Sequence, residues 1–314
     1  MGPETDRVNP VTETEDTLMR KDKRCRGDRY DGRWLKNEIP GLQSIMVNLW
    51  PNRTDCEVCV FDELDVTDML KFIESKNLAH PEYKTTVFHC YLLAVARMIR
   101  ERPKMNRFIS GRRFYERKHI SLSFVAKRRF ADHSDEALLV FIPDDSETID
   151  SFSHKISGEV SEVRKNEIAT GGVDHMMDSL ARLPRLLLML ITRIVRILDF
   201  WGINPKAIRN GDPNYTTVLA SNLGSIKAPS VYHHLSNYGT LSILTTLGAI
   251  HKKEVLMDDG TTQVRDVVDF SATLDERIAD GFYFARSLKL VQYVFAHPEI
   301  LDQPLSVPSG CDLG

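Results

Sequence analysis

Apolar residues recur along the chain with two distinct periods, and the boundaries between them outline the elements. Thr85 to Arg102 carries Phe88, Leu92, Val95 and Ile99 at steps of four, three and four, which places them on one face of a helix, and Pro103 ends it. Before it, Ile45, Met46, Val47 and Leu49, then Val58, Val60 and Phe61, predict short strands around a Pro51-Asn52-Arg53 turn. Asp65-Val66-Thr67 reads as the cap of a short helix with Met69, Leu70 and Phe72 inward, and Pro81 closes that region. After Pro103, Arg107 to Arg117 and His119 to Lys127 predict two strands. The second alternates, with Ile120, Leu122, Phe124 and Ala126 on one face and Ser121, Ser123 and Val125 on the other. Ala137 to Pro143 predicts a third strand, and Asp145 or Ser146 then caps a mostly polar helix to about residue 167.

Pro184 to Trp201 has a different pattern. Arg185, Thr192, Arg193, Arg196 and Asp199 form a polar stripe on a helical wheel, and Leu, Ile, Val, Met and Phe cover the remainder. With three arginines inside about 18 residues, the stretch is too short and too charged to make a convincing membrane span. Three readings stay open: a contact with the core or with another copy, a lid over an apolar substrate, and a helix lying on a membrane surface. After the turn at Asn210-Gly211-Asp212-Pro213, strands are predicted at Tyr215 to Ala220, Leu241 to Ile250 and Val264 to Ala272, and a helix from Ala279 to Phe295. Helices and strands are mixed without strict alternation, and no period of 20 to 50 residues repeats. The expectation is an α+β domain built on a mixed sheet.

Composition narrows the function classes. Apolar residues make up 42% and charged residues 27% of the 314, as in an ordinary globular protein. The 41 basic and 44 acidic residues nearly cancel, so the chain lacks the long-range field that would draw it to nucleic acid. Five cysteines, without a secretory signal, point to reduced thiols and a cytoplasmic location. Cys56-Glu-Val-Cys59 has the spacing of a metal or redox pair, but no second pair follows, so a structural role is expected and no metal site is assigned. Residues 1–28 are polar and aperiodic and read as a flexible tail; 29–305 form the domain, with the helix near 184–203 as an insertion, and 306–314 form a C-terminal tail.

Four segments, in order, carry a resemblance. Arg100-Glu-Arg-Pro-Lys-Met-Asn-Arg-Phe108 precedes the strand pair, Leu219-Ala-Ser-Asn-Leu-Gly224 follows the insertion, Asp275-Glu-Arg-Ile-Ala-Asp-Gly281 opens the last helix, and His297-Pro-Glu-Ile-Leu301 closes it. They resemble the P-x-x-N step, the Thr-Ile-Ser-Asn-Leu-Gly strand, the Asp-His-Arg-x-x-Asp-Gly motif and the Asn-Pro-Glu-x-Leu ending of the dihydrolipoyl acyltransferase catalytic domain, which shares its fold with chloramphenicol acetyltransferase. The resemblance implies a chloramphenicol acetyltransferase-like α+β fold, a homotrimer or a higher multiple of trimers, and transfer of an acyl group from a coenzyme A or carrier thioester, with no covalently bound cofactor. It places an oxyanion-stabilising hydroxyl at Ser221 and structural roles at Asn222, Gly224, Asp275, Arg277, Asp280 and Gly281, the glycine at 281 permitting a tight turn into the helix.

The family's catalytic histidine is replaced here by Glu276. Imidazole titrates near neutrality and suits the removal of a proton from an attacking thiol, whereas an ordinary carboxylate, near pKa 4.3, is a weaker base. Either Glu276 acts as a carboxylate base, or it pairs with an arginine such as Arg277 and the chain is an inactive trimeric binding or scaffold protein. A third route places His233 or His234, downstream of the serine strand, in the missing imidazole's position. His89, on the Thr85 to Arg102 helix, is read as a core or interface side chain.

Overall fold

A computed structural model describes residues 26–127, 136–165, 182–203, 212–257 and 259–313. The predicted tail up to residue 25 and the Asn210-Gly211 half of the predicted turn lie outside them. Among the described residues the strands are β1 (Gly32–Trp34), β2 (Glu57–Asp65), β3 (Arg107–Ser110), β4 (Arg113–Arg117), β5 (Leu122–Lys127), β6 (Glu136–Phe141), β7 (Val218–Asn222), β8 (Ile243–Leu256) and β9 (Thr262–Asp275). The helices are α1 (Gly41–Leu49), α2 (Thr67–Ala79), α3 (Val87–Glu101), α4 (Ile149–Lys165), α5 (Arg185–Trp201) and α6 (Gly281–Ala296).

A six-stranded sheet in the order β2-β9-β8-β7-β5-β6 is the backbone of the fold, and a three-stranded sheet β1-β4-β3 stands beside it. β7 runs parallel to both neighbours, β5 and β8, while the other pairs are antiparallel. The sheet is mixed and the fold is α+β, as the irregular order of elements predicted.

Side-chain alternation gives the β8–β9 region two different faces. Ile243, Thr245, Phe270, Ala272 and Leu274 face α3 and α6 in the main core. Thr246, Ser271 and Thr273 point the other way, where an extended segment from Ser230 to Gly239 lies across them as a strap. Leu235, Leu241 and Leu244 form a small second core under it.

Helix α3 departs from its predicted single apolar face, since Phe88 through Ile99 are all buried. It packs between α6 and α4, so even its polar positions are inside. Arg97 there is fully buried and ties down the C-terminal segment, its guanidinium donating to the carbonyls of Ile300, Gln303, Pro304 and Val307. Arg117 does the same between sheets, donating from β4 to the carbonyls of Tyr215, Thr216 and Thr240. Burial holds its pKa down at about 10.

Two predicted elements differ in kind. The stretch around Met46 is helix α1, because Leu42, Ile45, Met46 and Leu49 have helical spacing and Pro40 starts the turn, whereas four clustered apolar residues imitate a strand. The predicted strand 107–117 is a hairpin, β3 and β4, turned at Gly111 and Arg112 with φ of 55° and 60°. Two positive φ values in a two-residue loop give a turn whose twist matches the strands, and the sequence Gly-Arg is an uncommon way to write it.

Candidate functional site

The Asp275 motif begins where β9 ends. Asp275 is fully buried and its carboxylate is held by Arg277, with Nε to Oδ1 at 2.8 Å and Nη2 to Oδ2 at 2.7 Å, while Arg53 Nε approaches Oδ2 at 3.5 Å. Burial alone would lower the Arg277 guanidinium, but the contact with Asp275 outweighs it and raises the pKa. Arg53 is more deeply enclosed and burial wins, lowering it despite Asp275. Arg277 also donates to the carbonyls of Trp50 and Pro51 at 3.1 Å, and Gln43 donates to its carbonyl, so α1 is seated on this turn. The Glu276–Arg277 pairing weighed from the sequence is therefore absent: Arg277 is taken by Asp275.

Glu276 itself is exposed on the single helical turn Glu276–Ile278, and its carboxylate has no hydrogen-bond partner among the described residues. Asp280 caps α6, accepting from the Tyr283 amide at 2.8 Å. Gly281 is the first residue of α6; it has no positive φ and a methyl group there would meet open space, so within one chain the turn does not require a glycine.

The Ser221 motif sits at the end of β7. Ser221 is half-buried, and its hydroxyl likewise has no hydrogen-bond partner among the described residues. It pairs with Thr246, which pairs with Ser271, so three hydroxyls share one rung and one face of the sheet. Asn222 caps the following turn through the Ser225 amide. Gly224 passes so close to β8 that a Cβ would lie 2.4 Å from the Gly248 carbonyl oxygen, which makes the glycine obligatory.

Register fixes how these two motifs relate. Val218, Ile243 and Leu274 share a rung; Ser221 is three residues beyond it in one direction and Glu276 two residues beyond it in the other. At about 3.3 Å per residue and about 4.8 Å per strand, they are roughly 17 Å apart along the strands and roughly 10 Å across them. One chain does not bring them together.

His233 and His234 lie nearer to Glu276. The strap runs alongside β9 in the same direction: Ser271 donates to the Val231 carbonyl, Thr273 to the His233 carbonyl, and the Leu235 amide to Glu57, which pairs with Asp275. Both imidazoles are exposed and sit within roughly 10 Å of Glu276 along the strand axis. Their rings are 5.2 Å apart, and each Nδ1 contacts the following residue's carbonyl. His89 is buried in α3, as expected, and desolvation lowers its pKa to about 4.

A cleft of about 290 Å³ opens beside the motif, lined by Arg53, Arg112, Arg196, Asp199, Asn237 and Arg277 among others. Cys56 is buried and Cys59 exposed, both free thiols; the donors that cluster at metal-like spacing among the described residues are Glu63, His251 and Asp269, with no cysteine. Sequence reasoning missed Arg53, Glu57 and the hydroxyls of Thr246, Ser271 and Thr273. The hydroxyls were visible as polar positions alternating within otherwise apolar strands.

No family model matches the chain. The lipoamide acyltransferase component of the branched-chain alpha-keto acid dehydrogenase complex of Bacillus subtilis is 24% identical over 250 residues, which are 78% of this chain and 47% of that protein. The chain thus spans about half the length of the curated relative it matches. Among solved structures, a probable dihydrolipoamide acetyltransferase of Listeria monocytogenes matches with a TM-score of 0.55 at 17% identity, covering 88% of this chain and 97% of that one. The cubic core of a pyruvate dehydrogenase multienzyme complex matches at 0.50 and 15%, over 84% and 93%. Chloramphenicol acetyltransferase matches at 0.50 and 13%, over 83% and 98%. The chain therefore has a chloramphenicol acetyltransferase-like fold, shared with solved dihydrolipoamide acyltransferase catalytic cores, and its sequence is similar to that of a lipoamide acyltransferase.

Proposed function

We propose that the protein transfers an acyl group from a coenzyme A or carrier thioester to an acceptor thiol or hydroxyl, at a site completed by a second copy of the chain. The observation that carries this reading is the pair of unpartnered groups, Ser221 and Glu276, held at opposite ends of the sheet. A neighbouring copy that lays its β7 end against the Glu276 turn supplies what one chain lacks. The surface around Glu276 suits such a contact, since Leu42, Ile45 and Leu49 of α1, Trp50 just after it and Phe282 of α6 are all exposed. A homotrimer, or a multiple of trimers, is the assembly that this arrangement and the resemblance together support.

In that site the acceptor gives up its proton to the Glu276 carboxylate, or to His233 or His234, and adds to the thioester carbonyl. The Ser221 hydroxyl of the other copy donates to the oxyanion as it forms, and collapse of the tetrahedral intermediate breaks the carbon–sulfur bond and releases the thiol, which takes up the proton. Incubation with a panel of acyl-coenzyme A esters and acceptors should release free thiol. Ser221→Ala should lower kcat by roughly 10²- to 10³-fold, and a flat trace with every donor overturns the reading.

A specific observation favours a second reading. The Asp275–Arg277–Arg53 lock stands without any contribution from residue 276, so the motif keeps its architecture when its imidazole is gone. A noncatalytic trimeric binding or scaffold protein of the same fold would bind a thioester without turnover and tolerate Glu276→Ala.

A further inference from the structure

Helix α5 is placed on the body by its C-terminal end and one narrow face. The Asp199 carboxylate accepts from the Tyr215 hydroxyl at 2.9 Å, and the Asp199 carbonyl receives Arg29 and Ser110 at 3.4 Å. The Phe200 carbonyl lies where a side chain at Gly111 would stand. Leu188, Ile191, Val195 and Leu198 are half-buried on the side toward the body, and no residue of the helix is fully buried.

That leaves a second apolar stripe, Leu186, Leu190, Ile194, Ile197 and Trp201, spaced by four, four, three and four residues on a face turned away from the body. Leu186 is 81% exposed and Trp201 67%. No residue of the helix enters the core, and an apolar stripe of this length in water needs an occupant.

Charge identifies which one. Arg182, Arg185, Arg193 and Arg196 have no ion-pair partner among the described residues, and the hairpin tip that receives α5 adds exposed Arg112 and Arg113. Among the described residues of α5, its lead-in and the hairpin tip, six arginines thus stand beside one acid, Asp199, which is bonded inward. Pairing of α5 with α5 of a second copy about a two-fold axis would set arginines against arginines along the same rim. A surface of anionic headgroups is complementary in charge to these arginines. Among the described residues no helix is long and apolar enough to cross a membrane, and α5, with its arginines along one side of the stripe, suits the plane of the interface.

We infer that α5 docks the protein on an anionic membrane surface, with Leu186, Leu190, Ile194, Ile197 and Trp201 at the acyl boundary and the arginines at the level of the lipid phosphates. This does not depend on acyl transfer.

Flotation of the full chain tests it. The protein should float with phosphatidylcholine vesicles that contain phosphatidylserine, remain behind with vesicles of phosphatidylcholine alone, and be released by salt. Ile194→Asp should abolish flotation, and Arg185→Glu with Arg193→Glu should weaken binding by more than about ten-fold, on the order of five-fold per arginine. Trp201 emission should shift to the blue on mixing with anionic vesicles, and Trp201→Tyr should remove that shift. These positions lie outside the core, so unchanged thermal unfolding of each variant confirms that it is folded. Absence of flotation with the anionic vesicles, or flotation unaffected by Ile194→Asp, overturns the proposal. A wild-type oligomer that Ile194→Asp splits, in a protein that ignores vesicles, also overturns it and assigns the stripe to a contact between copies.

Discussion

Asp275 and Glu276 are adjacent carboxylates in opposite surroundings. Asp275 is fully buried and shared by two enclosed guanidinium groups, so removing its charge strands Arg277 and Arg53 in a region with little water. Asp275→Asn should destabilise the fold by about 3–5 kcal/mol, measured by chemical denaturation, because the arginines keep their desolvation cost and lose their compensation. Glu276→Gln should change stability by less than about 0.5 kcal/mol, since an exposed carboxylate with no hydrogen-bond partner has little to lose. An equal loss in the two variants would sink this division between a structural and a chemical residue. The sequence motif showed both residues and their order but not their roles. Which arginine binds which carboxylate depends on Arg53, over two hundred positions away, and no local pattern reveals it.

At the scale of elements, α3 shows what periodicity can and cannot show. Its apolar spacing identified the helix and its ends to within two residues, yet not that the polar positions between them are also buried, because enclosure depends on what covers the far face. His89 is one consequence. Its folded pKa of about 4 lies below the ordinary value of 6.5, so the fold favours the neutral ring, and the unfolded chain takes up a proton more readily between those values. Stability is therefore full above about pH 6.5 and falls as the pH is lowered toward 4, by roughly 3 kcal/mol in all. Denaturation at pH 7, 6, 5 and 4 should show this decline reduced by that amount in His89→Leu. Identical pH profiles for the two proteins would refute it. Helix α1 was illegible for a different reason: its four apolar positions fit either period over so short a run, and its exposed face follows no burial rule within one chain. The mixed sheet was legible in outline from the irregular order of strands and helices. Its register was not, since the rung joining Val218, Ile243 and Leu274 depends on pairings between distant segments.

For the whole molecule, that register shapes the account of function. Ser221 lies one residue before the end of β7 and Glu276 directly after the end of β9, and the sheet keeps them apart by a distance no side-chain rotation closes. The strap crosses from the serine's rung to the glutamate's end and carries both histidines along it, so on the proposed reading one copy presents the oxyanion donor at one place and its candidate bases at another. The exposed apolar face of α1 beside Glu276 and the outward stripe of α5 are separate surfaces, with different proposed occupants, a second copy for the first and a lipid surface for the second.

The central claim is that acyl transfer takes place between copies, and mixed assemblies of two inactive variants test it most directly. Ser221→Ala keeps an intact base edge, and Glu276→Gln combined with His233→Gln and His234→Gln, which removes every candidate base, keeps an intact serine edge. Each alone should be inactive, whereas co-assembled at equal amounts they should regain about a quarter of the wild-type thiol-release rate, because in a cyclic trimer a random interface pairs the two intact edges in about one case in four. A mixture that forms assemblies of the wild-type size yet stays at the rate of its parents would contradict the account.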